Sequence, residues 1–186
     1  MYEVLNSRRS DINNSKILKM LELEEDNYFV VSAHREENIN SETNFWDLVD
    51  SLNAIAETYN MPLILSTHPR TRKMIEAKKI KFHPMVRTLK PLGFNDYVKL
   101  QMHAKAVISD SGTISEESSI LGFKALNIRQ AHERPEAMEE AAVMMVGLKK
   151  ERILQGLEIL STQDKGTLRQ VADYSMPNVS EKVLRI

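Results

Sequence analysis

Cysteine is absent from all 186 residues, which excludes disulfides, thiolate nucleophiles and thiolate metal sites together. Long apolar runs are missing too. No stretch approaches the roughly 18–20 residues of a membrane span, and the N-terminus lacks the apolar centre of a signal peptide. Neither sign of charge dominates, with 25 basic against 26 acidic residues, so no general surface for nucleic acid or an anionic membrane is indicated. Glycine and proline number six each, and there is no internal repeat or low-complexity tract. The five histidines show no close metal-ligand spacing, so no metal site is expected. These absences point to a soluble cytoplasmic protein with no nucleic-acid or membrane partner.

What is present is core material. With 42% hydrophobic residues, the chain can bury one core and fits a single domain over residues 1–186. Short apolar runs alternate with amphipathic segments, the pattern of a parallel α/β sheet. The expected strands are Tyr28–Ala33, Leu63–Thr67, Val86–Leu89, Ala106–Ser109, Ala125–Ile128 and Val143–Val146. Several are apolar throughout, as required of strands covered on both faces. Helical spacing is expected over Ser15–Leu23, Glu42–Tyr59, Arg70–Ala77, Asn95–His103, Thr113–Leu121, Glu136–Ala142 and Lys149–Leu160. Residues 1–14 read as a leading linker. Residues 161–186 read as a peripheral C-terminal segment with a short helix over Val179–Ile186.

The most informative stretch is V-I-S-D-S-G-T-I-S-E-E, residues 107–117. An apolar strand stops at a Ser-Gly turn and a helix opens after it, which aims free backbone N–H groups and a partial positive charge at one point. Such a point holds a phosphate. Gly112 lets a ligand approach the backbone, and Ser111 and Thr113 offer hydroxyl donors. Glu117, one turn further on, is placed to accept hydrogen bonds from a sugar diol. An ordinary capping box would give the same residues. The other polar clusters weigh on the choice, because right-handed crossovers put them all at the C-terminal ends of strands. His34–Asn38, Thr67–Arg70 and Arg129–Glu136 follow the first, second and fifth strands.

Each candidate has a plain reading beside a functional one. His34, beside Arg35, is either a structural donor or a group that stabilises charge on a leaving diphosphate. His68 divides between support and ligand contact, and Pro69 makes it extended. Glu36 and Glu37 are adjacent, so they do not form a facing acid/base pair. Arg129, His132, Glu133, Arg134 and Glu136 form a charged loop that either caps the helix begun by Pro135 or closes a sugar-phosphate site, with Arg134 held by acidic neighbours. Tyr97 either packs or lies beside a flat base.

Taken together, A-H-R-E-E-N (33–38), T-H-P-R (67–70), P-L-G-F-N-D-Y (91–97), S-D-S-G-T-I-S-E-E (109–117) and R-Q-A-H-E-R-P-E-A (129–137) resemble the C-terminal half of the non-hydrolysing UDP-N-acetylglucosamine 2-epimerase family. The resemblance implies a Rossmann-like doubly wound parallel sheet of about six strands, one half of a glycosyltransferase-B-like two-domain enzyme. A UDP-sugar would be the substrate, bound between this domain and an N-terminal half, with the full-length enzyme a homodimer. It implies C2 inversion by elimination and re-addition of UDP, in surface or capsular polysaccharide precursor synthesis, without a cofactor.

By motif, His34 resembles the family's histidine near the diphosphate, and Ser111 and Gly112 its phosphate turn. Glu117 matches the ribose-binding carboxylate, Tyr97 the aromatic beside uracil, and Arg134 and Glu136 the segment lining the site. Departures at Glu36, Thr113, Ser115 and Ala131-His132 resemble the branch that forms UDP-N-acetyl-L-fucosamine. The same donor site would serve a glycosyltransferase-B glycosyltransferase or a non-catalytic UDP-sugar-binding module.

Overall fold

The computed structural model describes residues 1–131, 134, 136–137, 143–163 and 170–186. Six strands form one sheet: β1 Phe29–Ser32, β2 Leu63–Ser66, β3 Val86–Leu89, β4 Ala106–Ser109, β5 Ala125–Asn127 and β6 Met144–Met145. Their order is β3-β2-β1-β4-β5-β6, and every pairing is parallel. The chain reverses direction across the sheet between β1 and β4, which leaves a crevice at the carboxyl ends of those two strands.

Residues of both parities along the strands are apolar because both faces are covered. Phe29, Val31, Leu65 and Ile108 belong to one buried layer, while Tyr28, Val30, Ile64 and Val107 belong to the other. The first layer is closed by α5 (Glu42–Tyr59) and α9 (Lys150–Ser161). In α5 the buried Phe45, Leu48, Val49, Leu52, Ile55 and Ala56 recur at helical spacing; the Ser41 side chain caps its start and Asn60, in the left-handed region, ends it. The second layer is closed by α3 (Ile17–Met20), α7 (Phe94–His103) and α8 (Ile114–Leu121). Two further helices, α4 (Glu36–Ile39) and α6 (Pro69–Ala77), lead away from the ends of β1 and β2.

The strands turn polar at one level. Ser32 pairs in register with Ser66 on one side and Ser109 on the other, and Ser109 pairs with Asn127. This row of small polar residues is the edge from which the candidate loops depart.

Three expectations are corrected. Residues 1–14 are not a linker: Tyr2–Ser7 (α1) and Arg9–Asn14 (α2) are helical, and Leu5 and Ile12 are fully buried in a cluster with Val98 of α7. Residues 161–186 are not wholly peripheral, because Val171 and Tyr174 are buried around a 3-10 turn at Ala172–Tyr174; the last helix, α10, is limited to Val179–Val183. The short helix α4 was not expected at all. The helix expected over Glu136–Ala142 lies outside the described residues beyond Ala137. Because Leu5 is part of the packed cluster, Leu5→Ala is expected to lower unfolding stability by about 2–4 kcal/mol, as core truncations do. Urea denaturation measures this, and a change near zero would return residues 1–14 to the status of a linker.

Candidate functional site

At the crevice, β1 runs into His34-Arg35 before α4, and β4 runs into Asp110-Ser111-Gly112 before α8. Sequence reasoning treated Asp110 only as part of the turn, yet it joins the two segments. Its side chain is fully buried, and it accepts hydrogen bonds from the backbone N–H of His34 (3.1 and 3.0 Å), from Arg35 N–H (2.9 Å) and from Asn38 Nδ2 (3.0 Å). The His34 ring, by contrast, is 44% exposed, with Nδ1 3.4 Å from the Asp110 carboxylate. A buried carboxylate is tolerable only when so satisfied, and here the donors come from a loop some 75 residues distant (75 to Arg35).

The turn itself departs from a capping box. Thr113 is the N-cap of α8, but its side chain makes no cap hydrogen bond. Instead Thr113 N–H donates to Ser111 Oγ (3.3 Å), the two hydroxyls lie 3.0 Å apart, and Ser111 N–H donates to Ser109 Oγ (3.1 Å). The first-turn amides of α8 have no intrahelical acceptor, so they and the helix dipole face whatever occupies the crevice. Gly112 has no positive φ, unlike Gly122 and Gly147, so close approach rather than backbone handedness is what its missing side chain permits here.

Glu117 is only 8% exposed, and its Oε2 accepts from Gln101 Nε2 at 2.8 Å. Burial raises its carboxyl above the usual range; the hydrogen bonds from Gln101 and Thr113 pull it back, and Glu116 adds to the rise. Tyr97 directs its hydroxyl to Ser32. Burial pushes that hydroxyl upward, the Ser32 hydrogen bond opposes the shift, and the charges of Glu117 and Asp110 reinforce it. Tyr97, Ser32, Asp110 and Glu117 are therefore one cluster.

The remaining candidates divide. Arg129 is buried beside Glu37, its Nε 3.6 Å from the carboxylate. Arg134 is paired with Glu116 at 2.7 Å, on the first turn of α8. Glu136 accepts from the Tyr174 hydroxyl at 2.8 Å and faces the C-terminal turn. His68 is exposed and caps α6, with Nδ1 accepting from Arg70 N–H at 3.4 Å, while Arg70 itself pairs with Glu36. Glu133 and His132 lie outside the described residues. Among the described residues no cluster of three or more histidine or acidic side chains is placed to hold a metal ion, and no helix is long and apolar enough to cross a membrane. A partly enclosed cavity of about 150 Å³ lies at the opposite edge of the sheet, between Lys105, Lys124 and Tyr59. None of the residues just described lines it, whereas a larger and more open hollow of about 590 Å³ is bordered by Glu116, Arg134, Glu136 and Tyr174.

Comparison with known proteins bears on the same chain. The profile described as UDP-N-acetylglucosamine 2-epimerase matches residues 1–186. The chain is 31% identical over 140 residues to the UDP-N-acetylglucosamine 2-epimerase of Methanocaldococcus jannaschii, covering 73% of this chain and 38% of that relative. It is 27% identical over 147 residues to a UDP-2,3-diacetamido-2,3-dideoxy-D-glucuronate 2-epimerase of Pseudomonas aeruginosa, covering 77% of this chain and 41% of the relative. Among solved structures, UDP-N-acetylglucosamine 2-epimerase from Rickettsia bellii superposes with a TM-score of 0.83 at 41% identity, covering 98% of this chain and 50% of that one. The fold is shared with the M. jannaschii UDP-GlcNAc 2-epimerase solved in complex with UDP-GlcNAc and UDP, at a TM-score of 0.85 and 24% identity, with 99% of this chain and 51% of that one covered. The chain thus spans about half the length of the structures, and less of the other relatives.

Proposed function

The chain belongs to the UDP-N-acetylglucosamine 2-epimerase family, and from that premise we propose that it is the C-terminal, UDP-binding domain of an enzyme that inverts C2 of a UDP-2-acetamido sugar. The observation that carries the reading is the junction of two loops at the β1/β4 crevice through Asp110, in a chain of this family. The diphosphate would rest on the amides and hydroxyls of Ser111, Gly112 and Thr113, at the positive end of α8. Glu117 would accept hydrogen bonds from the ribose hydroxyls. Tyr97 would support the base side of the site, and His34, with Arg35 beside it, would stabilise charge on UDP as it leaves.

The reaction itself needs no redox partner. Loss of the C2 proton and cleavage of the C1–O bond release UDP and leave a C1=C2 glycal. UDP then re-adds at C1 while a proton arrives at the other face of C2. The acid and base for C2 would come from the complementary half of the enzyme, because Asp110 is consumed by its loop donors and Glu117 is assigned to the ribose. A surface or capsular polysaccharide precursor is the product class this reading favours.

The test mixes the 186-residue chain with UDP-N-acetylglucosamine and follows C2 inversion and solvent-proton exchange by NMR, alone and with the complementary half of the Rickettsia bellii relative. No turnover by the chain alone and turnover by the pair are expected. Turnover by the chain alone would overturn the division of labour. Nucleotide binding without activity in the pair would favour a non-catalytic module.

A further inference from the structure

We propose that Asp110 is the positioning residue for His34, which fixes both the path of the β1–α4 loop and the tautomer of the imidazole. The inference rests on the reading that His34 faces the diphosphate, and deepens it. The geometry has two parts. First, one carboxylate gathers three donors from α4 and the residues before it: His34 N–H, Arg35 N–H and Asn38 Nδ2, all within 3.1 Å. A loop tied at three points to a fully buried group has little freedom to carry its histidine elsewhere. Second, the same carboxylate sits 3.4 Å from Nδ1, with the Ser32 hydroxyl 3.5 Å away on that side. The contact with the carboxylate is one of charge, the hydrogen-bond partner of Nδ1 being the Ser32 hydroxyl; a lone pair on Nδ1 would be repelled by the nearby negative charge, whereas an N–H is attracted to it. The neutral ring is therefore held with its proton on Nδ1. Since the Nδ1 side meets the buried carboxylate and the ring is 44% exposed, Nε2 is the nitrogen offered to the crevice.

The arrangement also explains why a charge is buried at the switch point. No described cation approaches Asp110 as closely as these amides do. Its attraction is spent on backbone N–H groups of a loop that must be placed accurately. Main-chain donors from one strand end and a carboxylate from its neighbour also hold β1 and β4 in relative position at the edge that binds ligand. Asp110 touches no substrate in this scheme; it acts through His34.

The measurement is the imidazole nitrogen spectrum of His34 in the unliganded, labelled chain, compared between wild type, Asp110→Asn and Ser32→Ala. In the wild type the Nδ1–H form should exceed the Nε2–H form by about threefold or more, as expected for a nearby charge that is not itself hydrogen-bonded to the ring. Asp110→Asn should lose that bias and move the His34 and Arg35 amide signals, while Ser32→Ala keeps it. Dominance of the Nε2–H form in the wild type, or an unchanged ratio in a folded Asp110→Asn, would overturn the proposal. So would loss of the bias in Ser32→Ala alone. Should Asp110→Asn not fold, the wild-type ratio decides. Because the spectrum is read without nucleotide, a failure of UDP to bind would count against the proposed function and leave this result standing.

Discussion

Gly112→Val is expected to weaken UDP binding about a hundredfold, a loss equal to about two charge-assisted hydrogen bonds. The turn lies between β4 and α8, where the first-turn amides and the Ser111 and Thr113 hydroxyls converge. An isopropyl group there stands between those donors and a phosphate oxygen. Gly112 lies outside the left-handed region, so the substitution carries no handedness penalty. Calorimetric titration with UDP reads the affinity, and a melting curve confirms the fold. An affinity within about threefold of wild type would mean that the diphosphate does not rest on this turn.

The second large effect concerns the ribose. Glu117→Ala should weaken UDP about tenfold but weaken 2′-deoxy-UDP far less, since each hydrogen bond from a hydroxyl to a charged group is worth about 1.5 kcal/mol or more. Glu117 holds one oxygen to Gln101, which aims the carboxylate and leaves its remaining lone pairs for a ligand. Burial raises Glu117, so the sign of the pH effect is set. As pH falls through its elevated value the group takes up a proton, loses acceptor capacity and binds the diol less well. Wild-type affinity for UDP should therefore drop on mild acidification, whereas Glu117→Ala should follow a flatter profile set by the nucleotide alone. Equal losses for UDP and 2′-deoxy-UDP would remove Glu117 from the ribose.

Much of this architecture was legible in the residues, for reasons that particular elements make clear. Buried parallel strands must be apolar on both faces, so F-V-V, L-I-L and A-V-I stood out as runs. Helix α5 announced itself by spacing, and the structure adds the cap from the serine before it. The N-terminal pair did not, because the polar run from Asn6 to Asp11 separates Met1–Leu5 from Ile12 and hides any common period. Leu5 and Ile12 lie on two separate short helices, and only their common burial against Val98 shows that both face the core. Helix α4 is four residues long, too short for any period to declare itself.

The site divides along the same line. The proximity of Ser111 and Thr113 at the start of the helix that carries Glu117 could be read because the turn and that helix are local in sequence. The role of Asp110 could not be read, since its partners are contributed by a strand end far away in the chain. Arg134 was expected to line a sugar-phosphate site held by acidic neighbours; the neighbour is Glu116, reached from across the fold. Tyr97 was weighed as a platform for a base, and its hydroxyl is found in the cluster with Ser32. Local order reveals where chemistry can occur, but long-range pairing decides how each group is presented.

The crevice between β1 and β4 is expected to receive a nucleoside diphosphate. Titrating UDP into the isotope-labelled chain and recording backbone amide shifts tests it most directly. The largest shifts should fall on Ser111, Gly112, Thr113 and Ile114, with His34 and Glu117 following at the same ligand concentrations. Shifts confined to the far edge of the sheet, around Lys105 and Lys124, or no shifts at millimolar UDP, would contradict it.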